Sequence, residues 1–345
     1  MKEKLLIIMT ALFLVAVSLA PGGLAPVTSA QAKPIEIKVA FGDSSASVFY
    51  HSVLVPWGKE LEAASDGRLK VTHFHSGALG PANEHWDLAV KGLANVSWQI
   101  TLLSAGVFPL TDAVTLPPTG IHSAKKMNAV LWELYQNNKY FQKEYQDAKI
   151  LFFAGGPPQW YWADKPIKAM QDIKGLRIGS TGGPAIEAIK LHGGTPTFFL
   201  PMDMYVALQK GTLDGVAFIA EGVAAFKLGE IAKYGCAIDL CTFPAVVAMN
   251  HRFFDKLPAD LQAVVEEVSG KWSIKAGKIV DESNLHSAEA LKASGVQIHE
   301  VSKAEQKVWW DALNPMLDGW IKTIKGLGMP GREIMDEVLD LSAKY

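Results

Sequence analysis

The stretch over 172–221, DIKGLRIGSTGGPAIEAIKLHGGTPTFFLPMDMYVALQKGTLDGVAFIAE, limits what this chain can fold into more than any other. A strand over 176–179 leads through Ser180-Thr181-Gly182-Gly183 into a helix opened by Pro184, where the missing N–H would have no helical partner anyway. Gly193-Gly194 closes that helix. A second strand over 195–199 then meets Pro201 and a short helix with Met204, Ala207 and Leu208 on one face, which stops at Gly211 before a third strand over 215–219. Strand and helix in this alternation predict a mostly parallel sheet. In such sheets ligands bind in the crevice at the carboxyl ends of the strands, beside the helix N-termini.

The run D-I-K-G-L-R-I…G-G…A-I…G-G-T-P…P…Y-V-A-L-Q-K-G-T-L-D-G inside that stretch resembles the signature of the extracytoplasmic solute receptors of TRAP transporters, the DctP type. Gly67-Arg68-Leu69-Lys70-Val71 with Gly77-Ala78-Leu79-Gly80, and Asn250-His251-Arg252-Phe253-Phe254-Asp255-Lys256-Leu257-Pro258, resemble two further segments of the same family. Their order and spacing extend the resemblance over nearly the whole chain beyond its N-terminal segment. The resemblance implies an α/β, periplasmic-binding-protein-like fold, with two α/β lobes around a hinged cleft and a long helix spanning both. Lobe I is expected over 33–155 and 245–285, and lobe II over 156–244 and 286–345. It also implies a receptor that captures a small organic solute and delivers it to a membrane permease, with no cofactor and no bond made or broken.

The length of 345 residues, 49% hydrophobic and 20% charged, fits a globular chain with room for two domains. Lys2 and Lys4 precede an apolar run over 5–20 and candidate cleavage sites after Ala30 or Ala32, which reads as a secretory signal over 1–32 and a soluble, periplasmic mature chain. Its removal takes away two lysines and Glu3, so the net charge of −2 becomes −3. Near-neutral balance without a Lys/Arg cluster argues against a nucleic-acid partner, and a monomer is expected. Cys236 and Cys241 sit in an export-bound chain, where a disulfide and a pair of buried thiols are both open.

Strand 35–41 ends in Gly42-Asp43-Ser44, at a strand's carboxyl end, where polar atoms meet ligands. Ala40-Phe41-Gly42-Asp43-Ser44 also resembles the nucleophile block of GDSL-type esterases. A secreted esterase with Ser44 as nucleophile is the alternative from the enzyme class, although that family's Asp-x-x-His near the C-terminus is missing. His73 and His75 share one face of strand 69–75 without a third ligand at a telling spacing, so no metal site is expected. Helices are expected over 123–144 and from Pro258 to about 293, the second weakened by Gly270 and Gly277, and Ser302 with Glu305 forms a capping box. Strand 149–154 runs into Gly155-Gly156-Pro157-Pro158-Gln159-Trp160-Tyr161-Trp162, read as a crossover whose glycines give hinge freedom and whose tryptophans wall the cleft.

The family resemblance implies an arginine that clamps a ligand carboxylate at the position held here by Gly179. Arg177 lies two residues earlier on the same strand face. Phe218 stands where the family often has asparagine, and Gln159-Trp160 where some members have a further arginine. A desolvated pocket without such groups disfavours a carboxylate ligand. Aromatic faces with one or two carboxylates suit an amine-bearing or an apolar aromatic solute. The expected lining is Ser44, Glu84, Trp98, Trp160, Trp162, Gly179, Ser180, Phe218 and Glu221, with Arg177 and Gln159 as further candidates. Backbone N–H groups at Ser180 and Gly182 keep an anionic group open. A receptor serving a sensor or another importer is the runner-up within the binding class.

Overall fold

The structure, a computed structural model, describes residues 33–104 and 106–345. The expected signal segment over 1–32 lies outside the described residues. Eleven strands are described: β1 Ile35–Ala40, β2 Leu69–Phe74, β3 Val96–Ile100, β4 Lys149–Phe153, β5 Trp160–Ala163, β6 Arg177–Ser180, β7 Thr195–Phe198, β8 Gly215–Phe218, β9 Tyr234–Ala237, β10 Ala245–Met249 and β11 Gln297–Glu300. They form two sheets, ordered β2-β1-β3-β10-β4 in lobe I and β11-β9-β5-β8-β6-β7 in lobe II. In lobe I, β1 is parallel to β2 and β3, and β10 lies antiparallel between β3 and β4. In lobe II, β6 is parallel to both β7 and β8, the unit expected from 172–221, while β5 is antiparallel to β8 and β9.

Two extended segments run antiparallel between the lobes. Ala154 N donates to Ala245 O (2.8 Å), Gly156 N to Phe243 O (2.9 Å) and Gln159 N to Cys241 O (3.0 Å), with Leu240 N donating back to Gln159 O (2.8 Å). A third connection is the helix Trp272–Ala293. Gly277 on it lies so close to the helix Ala124–Asn137 of lobe I that a Cβ would stand 2.4 Å from the Lys125 Cα. One turn on, the Asp281 carboxylate accepts from the N–H groups of Ala124 (2.8 Å) and Lys125 (2.9 Å), capping that helix. At the lobe II end, Asn284 Oδ1 accepts from Glu221 N at 3.1 Å. The long helix is thus tied to both lobes by its own side chains.

One core lies under the outer face of the lobe I sheet, around Ile37, Trp57, Phe152 and Trp272. A second runs between the lobes and joins Tyr145 and Phe153 to Tyr161, Cys236 and Trp309. The C-terminal segment, expected with lobe II, packs on lobe I through the apolar stripe Ile334, Met335 and Val338 of the helix Gly331–Lys344. Lys344 pairs with Glu133 at 2.7 Å, Asn138 Nδ2 donates to Glu337 at 2.6 Å, and Trp320 Nε1 donates to Pro109 O at 2.8 Å.

Several expected boundaries shift. The helix read from 258 to 293 breaks at Lys271, giving Ala259–Gly270 and Trp272–Ala293. The helix over 123–144 divides at Asn138, whose side chain accepts from Tyr140 N and starts a new one. β9 stops at Ala237, because Asp239 adopts φ +48° and turns the chain. β5 and β11 were not expected as strands. Cys236 and Cys241 are both free and buried, and burial pushes the Cys236 thiol up to about 12.

Candidate solute-binding cleft

The candidate cleft is the space between the carboxyl ends of β1 and β3 in lobe I and those of β6, β7 and β8 in lobe II. The loop after β1 is held down where Asp43 O accepts from Ser76 N (2.7 Å) and Phe41 O from Gly77 N (3.2 Å). It places Asp43 and Ser44, both exposed, on the side of the candidate cleft. Nearby His85 is buried, with Nδ1 3.2 Å from Trp98 O and Nε2 3.1 Å from Gly80 O. With both ring nitrogens engaged, it is not arranged as a base for Ser44. Trp98 is 3% exposed, packs against Phe41 and Phe49, and donates to Ala154 O at 3.0 Å. Its geometry braces the start of the crossover. Glu84 ends a short 3-10 turn, exposed.

In lobe II, Trp160 and Trp162 point to the same side of β5, as alternate strand residues do, with ring centroids 5.8 Å apart. Trp162 Nε1 donates to Phe218 O (2.9 Å) and Trp160 Nε1 to Asp239 Oδ1 (2.7 Å). Phe218 opposes Trp160 in register. A Cβ on Gly179 would stand 2.5 Å from Leu213 Cδ1, so the space a side chain needs there is already filled. The Ser180 hydroxyl is buried and accepts from Gly182 N at 3.2 Å. Arg177 lies at the other end of β6, in an exposed two-point pair with Asp214 (Nε 3.0 Å, Nη2 2.7 Å). The Gln159 side chain is buried, and its Oε1 has no partner among the described residues. The lobes meet where Leu102 lies 2.9 Å from the Cβ position of Gly183.

Electrostatics adds two residues that the motifs did not single out. Burial raises the Glu221 carboxyl above its ordinary range, and the Asp43 carboxylate across the cleft raises it further. The protein packed around Asp43 raises its carboxyl as well, a smaller effect than at Glu221 because the Asp43 side chain is still exposed, and His85 offsets it in part. No lysine or arginine is among the charges acting on either. Asp239 is pushed up to about 6 by burial, against the Trp160 hydrogen bond, with Asp281 and Glu300 adding repulsion. Asp43 had a sequence signal in its place at a strand's carboxyl end. Asp239 had none, since its position depends on where β9 ends.

The profile of the bacterial extracellular solute-binding protein family 7, DctP, matches residues 42–323. The chain belongs to this family. Among its relatives, the uncharacterized protein YiiZ of Salmonella typhimurium is 27% identical over 296 residues, 82% of this chain and 86% of that one. The fold matches a TRAP periplasmic solute binding protein from Desulfovibrio salexigens with a TM-score of 0.83 at 24% identity, over 91% of this chain and 97% of that one. It also matches a TRAP solute binding protein from Rhodoferax ferrireducens, in complex with copurified benzoate, with a TM-score of 0.82 at 23% identity over 90% and 98%. DctP-family members are solute-binding receptors rather than enzymes. Among the described residues of this one, no helix is long and apolar enough to cross a membrane.

Proposed function

We propose that this TRAP-type receptor captures a small solute that carries a cationic amine on an apolar or aromatic body, and delivers it from the periplasm to a membrane permease. The observation that carries the ligand class is the pair Asp43 and Glu221, two carboxylates from opposite lobes: Asp43 makes ionisation of Glu221 costlier, and the one basic group acting on the pair is His85, beside Asp43. An ammonium placed between them relieves that repulsion and favours closure, because a ligand shifts a two-state equilibrium by what it gains in the preferred state. The unpartnered Gln159 Oε1 adds one more acceptor, and Trp160, Phe218 and Ser44 complete the proposed lining.

Relatives of the same fold argue for the aromatic part and against the charge. One solved neighbour is described as specific for aromatic acid ligands, and another holds mandelate. In this chain Gly179 brings no side chain to the clamp position, and the Leu213 methyl packs against the place a Cβ would take, which supports an amine over an acid on a similar ring.

Benzylamine and benzoate have nearly the same apolar body and opposite charge, so a thermal-shift titration of the protein with each separates the two ligand classes. Stabilisation by benzylamine, lost in Glu221→Gln, is the expected result. Stabilisation by benzoate alone would overturn the ligand class and leave the receptor role standing.

A further inference from the structure

Two cavities of about 530 and 640 Å³ lie at the end of the lobe I sheet remote from the cleft. The first is bounded by the helix Ala124–Asn137, the helix Ala259–Gly270 and the start of β4, and the second by the turn that leaves β10 at Asn250. His251 belongs to the wall of both, with Nε2 3.1 Å from Gln146 O. Gln146 lines the first and its neighbour Asp147 the second, so the two form one trough.

The halves of this trough differ in chemistry. The first presents Trp132 and Tyr135 beside the side-chain amides of Gln136, Gln142 and Gln146, with the Glu266 carboxylate in its wall neutralised by an ion pair with Lys149. Gln136 and Gln146 are exposed, and their amides make no hydrogen bond among the described residues. The second holds Lys91, Arg252 and Lys256 against the single carboxylate of Asp147. Lys91 is held by Asp87 at 2.6 Å, whereas Arg252 and Lys256, four residues apart, are in no ion pair among the described residues.

We infer that this trough binds an anionic saccharide. An aromatic face covers the C–H face of a sugar ring. A primary amide, donor and acceptor at once, matches a hydroxyl, which is also both. Guanidinium and ammonium groups then take the acid substituent. An acidic peptide would satisfy the basic half alone and leave the amides and rings without a role. The inference concerns a surface remote from the cleft and does not rest on the reading of the cleft ligand.

The test is calorimetric titration of the full chain with a tetramer of galacturonic acid, with maltotetraose and tetraglutamate as controls. The acidic tetrasaccharide is expected to bind, and binding to weaken at least tenfold in Arg252→Ala/Lys256→Ala and in Gln136→Ala/Gln146→Ala, while Glu221→Gln leaves it unchanged. The Gln variants change exposed side chains only, so they keep the test open if Trp132→Ala fails to fold. Three outcomes would each overturn the inference: no binding at millimolar ligand, loss of binding in Glu221→Gln only, or tetraglutamate binding equally well and depending only on Arg252 and Lys256.

Discussion

The Phe243 ring lies over Gly156 so closely that a Cβ on the glycine would stand 2.0 Å from its Cζ. Gly155 is enclosed in the same way, with the Met127 Cε and the Phe243 carbonyl oxygen each 2.4 Å from its Cβ position. These glycines were expected to give the crossover backbone freedom. Their φ angles are not positive, so the structure uses them for close approach, with the crossover strands seated against side chains of both lobes.

Gly156→Ala is therefore expected to push the Phe243 ring aside and to destabilise the protein by about 1–3 kcal/mol, the usual range for overpacking. Adding Phe243→Leu should recover part of the loss, a coupling of at least about 0.5 kcal/mol between touching residues. Chemical denaturation of the two single variants and the double variant measures it. Independent, additive effects would show that the ring is free to move.

The Asp281 cap makes a second prediction. Asp281→Ala removes the acceptor for the N–H groups of Ala124 and Lys125 and should cost about 1–2 kcal/mol, with Asp281→Asn losing less. The cap belongs to the helix that joins the lobes. Hydrogen exchange at the start of helix Ala124–Asn137 should accordingly rise more than in either sheet.

The raised carboxyls of Asp43 and Glu221 set the pH dependence of an amine ligand. Each holds its proton to a higher pH than the ordinary value of about 4. A bound ammonium favours the ionised forms, so binding releases protons wherever either carboxyl is partly protonated. Affinity for benzylamine should thus be greatest near neutral pH and weaken as the pH falls through the raised carboxyl range. Glu221→Gln should flatten the profile as well as lower affinity, which titrations at a series of pH values would read out. A profile unchanged by that substitution would remove Glu221 from the site.

Arg177→Ala is expected to leave solute binding unchanged and the melting temperature nearly so, because the guanidinium paired with Asp214 is exposed. Loss of binding in this variant would mean that the remote end of β6 acts on the cleft.

The βαβαβ unit over 172–221 was legible because glycine and proline mark each of its turns, and turn chemistry is written locally. β5 was not. Its residues Trp160, Tyr161, Trp162 and Ala163 are buried on both faces, so the strand carries no alternation of apolar and polar residues. The contact between Gly179 and Leu213 needs β6 to lie beside β8, and no local pattern announces which strands become neighbours. The same holds for the cleft. Asp43 and Glu221 can each be placed at the end of a strand from sequence, but their mutual repulsion exists only once the two lobes face each other.

β10 lies between β3 and β4, although it follows both in the chain. A nascent chain that has emerged only as far as residue 244 holds two strands of lobe I with the place between them empty, and the long helix that braces both lobes has yet to appear. Pairings between segments so distant in sequence form slowly and late. The order of the strands thus acts as a timer, keeping the growing chain open to whatever machinery handles it until most of its length has been made.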